Sequence, residues 1–310
     1  MAKFAFVFPG QGSQSAGMMQ PFAESRAVKD AFAEAAEALK QDLWKLADGG
    51  PAEELTSTVT TQPLMLTAGS AVYRAWHEAG GPEPALVAGH SLGEYTALVA
   101  AGALAFRDAL PLVRFRAQAM QDAVPAGEGA MAAILGLEDE AVRGACREAA
   151  QGQVVEAVNF NAPSQVVIAG HKAAVERGVA AAKALGAKRA VMLPVSAPFH
   201  SSLLKPAADR LAGRLETVKG SMPRVPVGNN VAVAVESEPP RIKAALARQA
   251  CNPVRWVEVV QKMASEGVTH VAECGPGKVL AGMTKRIDNR LQGHAIADAQ
   301  ALQQVMAAVR

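Results

Sequence analysis

The chain has 310 residues, a formal net charge of +2 and a hydrophobic content of 50%. The near-neutral charge argues against nucleic acid as the main partner, and no apolar run approaches the ~20 residues that a membrane helix needs. Three cysteines at unrelated spacings indicate neither a disulfide framework nor a metal site. We therefore expect a reduced, soluble, cytoplasmic protein without a bound metal.

The first part of the chain predicts strands that alternate with helices. KFAFVFPG, residues 3–10, is a continuous apolar run closed by Pro-Gly, which is typical of a parallel strand buried on both faces. Residues 21–47 and 62–79 have the composition of helices. PALVAG, residues 84–89, predicts a second buried strand, and the next helix is expected to open at Ser91.

Residues 130–195 predict a small domain of another type. AMAAILG indicates a strand and EDEAVRGACREAA a helix, followed by the strands VVEAVNF and QVVIAG, the helix KAAVERGVAAAKALG and the strand KRAVMLPV. The order βαββαβ is that of the ferredoxin-like unit. We assign residues 129–196 to this inserted domain, and residues 1–128 and 197–310 to one larger domain.

The last part of the chain returns to alternating strands and helices. Strands are predicted at 224–230 and 269–274, and helices at 240–251, 255–266 and 278–287. The predicted fold class is therefore α/β, with a hydrolase-like domain built on a mainly parallel sheet and a ferredoxin-like insertion.

The motif GHSLG places Ser91 in a G-x-S-x-G frame between a predicted strand and a predicted helix. That context is the one in which a serine acts as a nucleophile. An acyl group on this serine could pass to water, as in a hydrolase, or to a second thiol or alcohol, as in a transferase. The motif alone leaves both outcomes open.

A serine nucleophile needs a base, and His200 is the best candidate. It lies in SAPFHSS, a break at the junction of the two predicted domains, where sites are often built. His90 adjoins Ser91, so we expect its ring to point elsewhere, and His294 is expected in a C-terminal loop. No acid between the serine and His200 lies in a strand-end loop, so a backbone carbonyl could orient the imidazole and give a dyad. The remaining histidines are assigned to packing or surface positions: His77, His171 and His270.

An acyl oxyanion needs two backbone N–H donors. Leu92, the residue after the nucleophile, offers one at a helix N-terminus. PGQGSQ, residues 9–14, follows the first strand and contains two glycines that permit a tight turn in which Gln11 would present the second. A glycine-rich turn without a catalytic role is the alternative.

The predicted helix 107–122 carries an arginine on its apolar stripe. Arg116 falls in that stripe, whereas Arg114 lies on the other side of the helix. A buried guanidinium needs an anionic partner, which could be a structural acid or a carboxylate that arrives with the substrate. The other members of the stripe are Ala109, Leu112, Val113, Ala117 and Met120.

Over essentially its whole length the chain resembles the malonyl-CoA:acyl-carrier-protein transacylase family of bacterial fatty acid synthesis. The resemblance is carried, in order, by FPGQGSQ, GHSLGEY, FRAQAMQ, GAMAAILG, NFNAPSQVVIAG, APFHS, NPVRW and ECGPGKVL. It implies that Ser91 is the nucleophile, His200 the base and Gln249 the residue whose backbone carbonyl orients the imidazole. It also implies that Gln11 and Leu92 form the oxyanion hole.

The resemblance also implies which residues recognise the acyl group. Arg116 would bind the malonyl carboxylate, and Phe199 and Met120 would shape the acyl pocket. In related polyketide acyltransferase domains an aromatic residue before the histidine accompanies malonyl, whereas many stand-alone members have a small residue there. Phe199 departs from those members, and packing at the domain junction is its alternative role.

The implied activity is ping-pong transfer of malonyl from malonyl-CoA to the phosphopantetheine thiol of acyl carrier protein, with no cofactor. The alternatives are a polyketide-type malonyl acyltransferase, an acyl hydrolase of the same fold, and a binding partner that has lost catalysis. We expect a monomer that binds malonyl-CoA and an acidic carrier protein, but no nucleic acid or membrane. Candidate docking residues are Lys188, Arg189, Lys285 and Arg286.

Overall fold

The computed structural model describes residues 2–310, and its larger sheet has five strands that are all parallel. The strand order is β7-β2-β1-β8-β9. The five residues FAFVF of β1 are all buried, as expected for the interior strand of a parallel sheet covered on both faces. The strands are β1 (Phe4–Phe8), β2 (Leu86–Gly89), β7 (Val227–Gly228), β8 (His270–Cys274) and β9 (Gln292–Ile296).

Helices cover both faces of this sheet, and successive side chains of β1 point to opposite faces. Phe4, Phe6 and Phe8 belong to one apolar cluster, and Ala5 and Val7 belong to another. The helices outside the small sheet are α1 (Arg26–Leu39), α2 (Leu43–Gly49), α3 (Ala52–Thr56), α4 (Thr58–Glu78), α5 (Gly93–Ala100), α6 (Phe106–Asp122), α9 (Lys205–Glu216), α10 (Pro239–Gln249), α11 (Trp256–Ser265), α12 (Val279–Ile287) and α13 (Ala299–Val309).

The smaller sheet has four antiparallel strands in the order β4-β5-β3-β6. Its elements follow the predicted βαββαβ order, so the α/β fold class with a ferredoxin-like insertion is confirmed. The limits assigned to the two domains stay a prediction. The elements are β3 (Gly129–Leu135), α7 (Asp139–Ala150), β4 (Val155–Ala162), β5 (Gln165–His171), α8 (Lys172–Ala184) and β6 (Arg189–Met192).

Three boundaries differ from the sequence prediction. The helix after β2 begins at Gly93 instead of Ser91, because Ser91 is left-handed with φ 51°. The strand expected at 224–230 is reduced to β7, since Pro226 has no N–H to donate to a neighbouring strand. His294 was expected in a loop but lies in β9, an edge strand with exposed polar residues that give little apolar signal.

Two glycines allow the end of β2 and the start of α5 to approach each other and β1. A Cβ on Gly89 would lie 1.8 Å from the carbonyl carbon of Gly93. A Cβ on Gly93 would lie 2.1 Å from the carbonyl oxygen of Phe8. The turn that carries Ser91 therefore packs directly against the backbone of β1, the central strand of the sheet.

We predict that Gly93→Ala lowers the free energy of unfolding by about 3 kcal/mol, because the new methyl group meets backbone that has no room to move. Gly282→Ala is the control, since Gly282 lies inside α12 with no atom within 4 Å of the added Cβ. It should stabilise the protein by about 0.5–1 kcal/mol. Urea unfolding of both variants measures the difference, and equal midpoints would contradict the close approach.

Candidate active site

Ser91 sits in a sharp turn between β2 and α5, at the carboxyl end of the parallel sheet. Its backbone is left-handed, a conformation that is uncommon for a residue with a side chain. Asn230, just after β7, fixes the turn from both sides. Its Oδ1 accepts the Ser91 N–H at 2.7 Å, and its Nδ2 donates to the carbonyl oxygen of Gly89 at 2.7 Å.

The structure brings the predicted nucleophile and base together. Ser91 Oγ lies 2.7 Å from His200 Nε2, and His200 Nδ1 lies 2.8 Å from the carbonyl oxygen of Gln249, the last residue of α10. A carbonyl oxygen only accepts, so the neutral ring carries its proton on Nδ1. Nε2 is then free to accept the serine proton.

His200 is 3% exposed, and its surroundings favour the neutral ring. Burial is the main cause that lowers its pKa to about 3, and the positive charge of Arg116 lowers it further. The hydrogen bond to the Gln249 carbonyl acts in the opposite direction. At neutral pH the imidazole is therefore uncharged and able to take a proton.

Arg116 of α6 is 1% exposed and points its guanidinium at the nucleophile. Nη1 donates to Gln62 Oε1 at 2.7 Å, and Nη2 donates to Gln249 Oε1 at 2.9 Å and to Ser91 Oγ at 3.2 Å. Throughout residues 2–310 no carboxylate forms an ion pair with Arg116, and its Nε has no hydrogen-bond partner. The structural ion pair considered for this residue is therefore absent from the described part of the chain.

Arg114 occupies the opposite side of α6, as predicted. It donates to the backbone carbonyl of Leu39 at 3.0 Å and to the side chain of Gln41, and it does not line the cavity at Ser91. The two arginines are two residues apart in the sequence but have unrelated surroundings.

Both expected oxyanion-hole residues line the same cavity as Ser91. Leu92 directly precedes α5, and Gln11 lies in the turn after β1. Neither backbone N–H has a hydrogen-bond partner among the described residues. The side chain of Gln11 is held by Thr58, whose Oγ1 accepts from its Nε2 at 3.2 Å.

The cavity at the serine has a volume of about 120 Å³ and carries both polar and apolar groups. Met120 of α6 and Phe199, the residue before His200, lie in its wall, where the sequence analysis placed them. Asn159 of β4 lines it as well, and its Oδ1 has no partner within residues 2–310. The rest of the apolar wall is formed by Met131, Leu193 and Val195.

The four docking candidates do not line this cavity. Lys188 and Arg189 are exposed at the start of β6, and Lys285 and Arg286 are exposed at the end of α12. Arg286 Nη1 donates to Gln165 Oε1 at 3.0 Å, so it links the larger sheet's α12 to β5 of the smaller sheet.

Sequence reasoning missed several polar groups around the serine. Gln62 gave no signal, because it lies within the long buried helix α4. Asn229 and Asn230 could have been found, since they follow a strand that ends beside β2 at the carboxyl edge of the sheet. Glu94, only three residues after the nucleophile, was not considered.

The other histidines lie away from the Ser91 hydroxyl. His90 points elsewhere, as expected, with its Nε2 2.8 Å from Asn161 Oδ1. The remaining four are His77 in α4, His171 at the end of β5, His270 in β8 and His294 in β9. In the part of the chain that the structure describes, no helix is long and apolar enough to cross a membrane, and no group of three His, Cys, Asp or Glu side chains could hold a metal ion.

Comparisons with known proteins identify the family of this chain. A family profile described as the acyl transferase domain matches residues 5–297. The malonyl CoA-acyl carrier protein transacylase of Escherichia coli K12 is 56% identical over 303 residues, which cover 97% of this chain and 98% of that protein. The corresponding protein of Bacillus subtilis is 47% identical over 305 residues, which cover 98% of this chain and 96% of that protein.

Solved structures of similar chains have the same fold. An acyl-carrier-protein S-malonyltransferase from Burkholderia pseudomallei has a TM-score of 0.97 at 64% identity and covers 98% of this chain and 99% of its own. A malonyl-transacylase solved in complex with a type II PKS acyl-carrier protein has a TM-score of 0.98 at 51% identity, over 99% of this chain and 100% of that chain. The resemblance noted in the sequence is confirmed, and this chain belongs to the acyl transferase family.

Proposed function

We propose that this protein transfers the malonyl group of malonyl-CoA to the phosphopantetheine thiol of an acyl carrier protein, through a malonyl ester on Ser91. The observation that carries the proposal is the contact of Ser91 Oγ with both His200 and Arg116, at 2.7 and 3.2 Å. The first contact supplies a base. The second supplies a buried cation that has no carboxylate partner among the residues that the structure describes. The relatives at 47–56% identity are named for this transfer.

In the first half-reaction His200 Nε2 takes the proton of Ser91 Oγ, which attacks the thioester carbon of malonyl-CoA. The negative charge that develops on the carbonyl oxygen is stabilised by the N–H groups of Leu92 and Gln11. The carbon–sulfur bond then breaks, and His200 gives its proton to the CoA thiolate. The products are free CoA and malonyl-Ser91.

The second half-reaction reverses these roles. The phosphopantetheine thiol gives its proton to His200 Nε2, and the thiolate attacks the ester carbon of malonyl-Ser91. When the carbon–oxygen bond breaks, His200 returns the proton to Ser91 Oγ. No cofactor takes part, since the CoA thioester is itself a substrate.

Arg116 provides the selectivity for malonyl in this scheme. Its planar donors match a carboxylate, and the buried guanidinium has no other acid to pair with among residues 2–310. An acetyl group would leave that charge unpaired, which makes acetyl-CoA a poor substrate. Phe199 in the cavity wall would crowd a substituent on the acyl α-carbon and so favour malonyl over branched analogues.

The proposed role is to supply malonyl groups for fatty acid elongation. A polyketide-type malonyl acyltransferase is the second candidate. It is favoured by the 51% identity to a transacylase solved with a type II PKS carrier protein. Both perform the same chemistry and differ in the carrier protein that they serve. An acyl hydrolase is disfavoured, because hydrolysis has no use for a buried arginine beside the serine.

The carrier protein is proposed to dock on the exposed basic side chains of β6 and α12. Lys188, Arg189 and Lys285 form no ion pair within the described chain, and Arg286 contacts only the neutral Gln165. These charges are thus available to an acidic partner. We further propose that the protein acts in the cytoplasm as a monomer, in keeping with its three free cysteines.

The first test is intact-protein mass spectrometry. Wild-type protein mixed with malonyl-CoA should gain one malonyl group, and Ser91→Ala should gain none. Addition of carrier protein that bears phosphopantetheine should discharge the adduct onto its thiol. Loss of the adduct as free malonate at a catalytic rate, without the carrier, would instead establish a hydrolase.

The second test concerns the malonyl carboxylate. We expect Arg116→Ala to lower malonyl acylation of Ser91 by at least about 100-fold, since about 3 kcal/mol is typical for removal of one partner of a buried charge pair. Acetyl acylation should fall much less. Arg114→Ala is the matched control on the same helix and should retain the malonyl preference. If Arg116→Ala also retained it, the proposed carboxylate contact would be wrong.

The third test is the protonation of the base. NMR titration of His200 should detect no protonation between pH 8 and pH 5, because its pKa is lowered to about 3 from 6.5. Arg116→Ala should raise that pKa by removing a like charge, but burial should keep it below 6.5. Arg114→Ala should leave it unchanged. A wild-type midpoint near 6.5 would contradict the electrostatic description of the site.

A further inference from the structure

Glu94 is a buried carboxylate one helical turn beyond the nucleophile, and it has no part in the steps above. It lies in the first turn of α5 and is 3% exposed. Burial is the main cause that raises its pKa to about 7, and its hydrogen-bond donors oppose that rise. A carboxylate is almost never this deeply buried without a specific set of partners.

Its partners in the described chain are all neutral hydrogen-bond donors. Asn229 Nδ2 donates to Oε1 at 2.8 Å. The backbone N–H of Asn230 and Nε2 of Gln249 donate to Oε2 at 3.2 and 2.8 Å. An ionised carboxylate accepts at both oxygens, so this set of donors fits the charged form.

The direction of the Asn229 amide is fixed by backbone groups. Its Oδ1 accepts the N–H groups of Val231 and Ala232 at 2.9 and 2.8 Å, so Nδ2 must face Glu94. A glutamine at position 94 would have to place its own NH₂ against one of these donors. Both terminal atoms of the side chain at position 94 must therefore accept hydrogen bonds. A glutamine has the same shape as glutamate but does not meet this requirement.

Two of the three donors, Asn230 and Gln249, also contact groups that the proposed reaction uses. Asn230 holds the N–H of Ser91 through its side chain. Gln249 accepts from Arg116 through Oε1, donates to the Ser91 carbonyl oxygen at 2.8 Å through Nε2, and orients His200 through its backbone oxygen.

We propose that Glu94 is a positioning residue that holds the nucleophile turn through Asn230 and the acyl-recognition arginine through Gln249. Its backbone N–H donates to the Ser91 carbonyl oxygen at 3.1 Å, but its carboxylate is bonded only to Asn229, Asn230 and Gln249 among the described residues, so the carboxylate acts through these neighbours. The proposal deepens the proposed function, and it rests on Arg116 recognising the malonyl carboxylate. Its distinctive consequence is that Glu94 affects acyl selectivity as well as rate.

The test compares acylation of Ser91 by malonyl-CoA and by acetyl-CoA in Glu94→Gln. Displacement of the serine turn should slow both reactions, by up to about 100-fold. Displacement of Arg116 should slow malonyl alone, so the malonyl-to-acetyl rate ratio should fall about tenfold, as expected when a hydrogen bond to a charged group is lost. A merely structural role would lower both rates equally and leave the ratio unchanged.

Glu273→Gln is the matched control for loss of a buried carboxylate. Glu273 at β8 is 0% exposed and accepts the N–H of Ala281 at 2.8 Å, without contact with Ser91, Gln249 or Arg116. Burial raises its pKa to about 7 as well. This variant should change thermal stability and keep the wild-type rate ratio.

Gln249→Met completes a double-mutant cycle, because it removes the amide between Glu94 and Arg116 but keeps the backbone carbonyl that His200 uses. It should lower the rate ratio about tenfold by itself. Adding Glu94→Gln should then change the ratio by less than about twofold, since the link is already broken. An unchanged ratio in Glu94→Gln, or full additivity of the two changes, would overturn the proposal.

If Glu94→Gln does not fold, Gln249→Met decides the question alone, and an unchanged ratio in that variant overturns the proposal. Failure of the proposed function is separately visible, since wild-type protein would then form no malonyl adduct. A wild-type adduct with an unaltered ratio in the variants would reject only the role of Glu94.

Discussion

The organisation of this site depends on one buried positive charge with which no acid of residues 2–310 forms an ion pair. Arg116 is 1% exposed, and its bonded partners are two neutral amide oxygens and the nucleophile. A guanidinium removed from water is unfavourable unless it is paired and hydrogen-bonded. In the free site the guanidinium charge of Arg116 is therefore without a counterion. A substrate carboxylate can pair with this charge, and a neutral acyl group cannot.

That charge also influences the base. The pKa of His200 is lowered first by burial and then by the charge of Arg116, so the ring stays neutral, as the proposed role of a base requires. The same charge opposes formation of the imidazolium during the reaction. A malonyl carboxylate paired with Arg116 would offset this opposition. In the proposed reaction, recognition of the acyl group and activation of the serine are thus linked through Arg116.

Much of the fold could be predicted from the sequence, because its signals are local. The apolar run KFAFVFPG predicted β1, and the alternation of strand and helix patterns predicted the βαββαβ order of the small domain. β9 was missed because an edge strand has a weak apolar pattern, and β7 was overestimated because Pro226 interrupts its pairing.

The candidate site also contains some residues that the sequence indicated and others that it did not. Ser91 and His200 were found from a motif and a domain junction, and Arg116 from its place on a helix stripe. The partners that hold them, Gln62 and Asn230, lie 29 and 139 residues from the serine in the chain, and only the folded sheet brings them near. The roles of Gln11 and Leu92 stay predictions, supported by two unpartnered N–H groups beside the cavity.

The side chain of Gln249 shows why the site behaves as a unit. Its one amide joins Arg116, the Ser91 carbonyl and Glu94, and its backbone oxygen holds His200. Movement of any one of these groups changes the hydrogen bonds of the others, because the amide has a single orientation that satisfies all of them. Glu94 lies at one end of this chain of polar groups, and the positive charge of Arg116 lies at the other. When Glu94 is ionised, opposite charges lie on the two sides of a neutral amide, so each charge favours the amide orientation that the other requires.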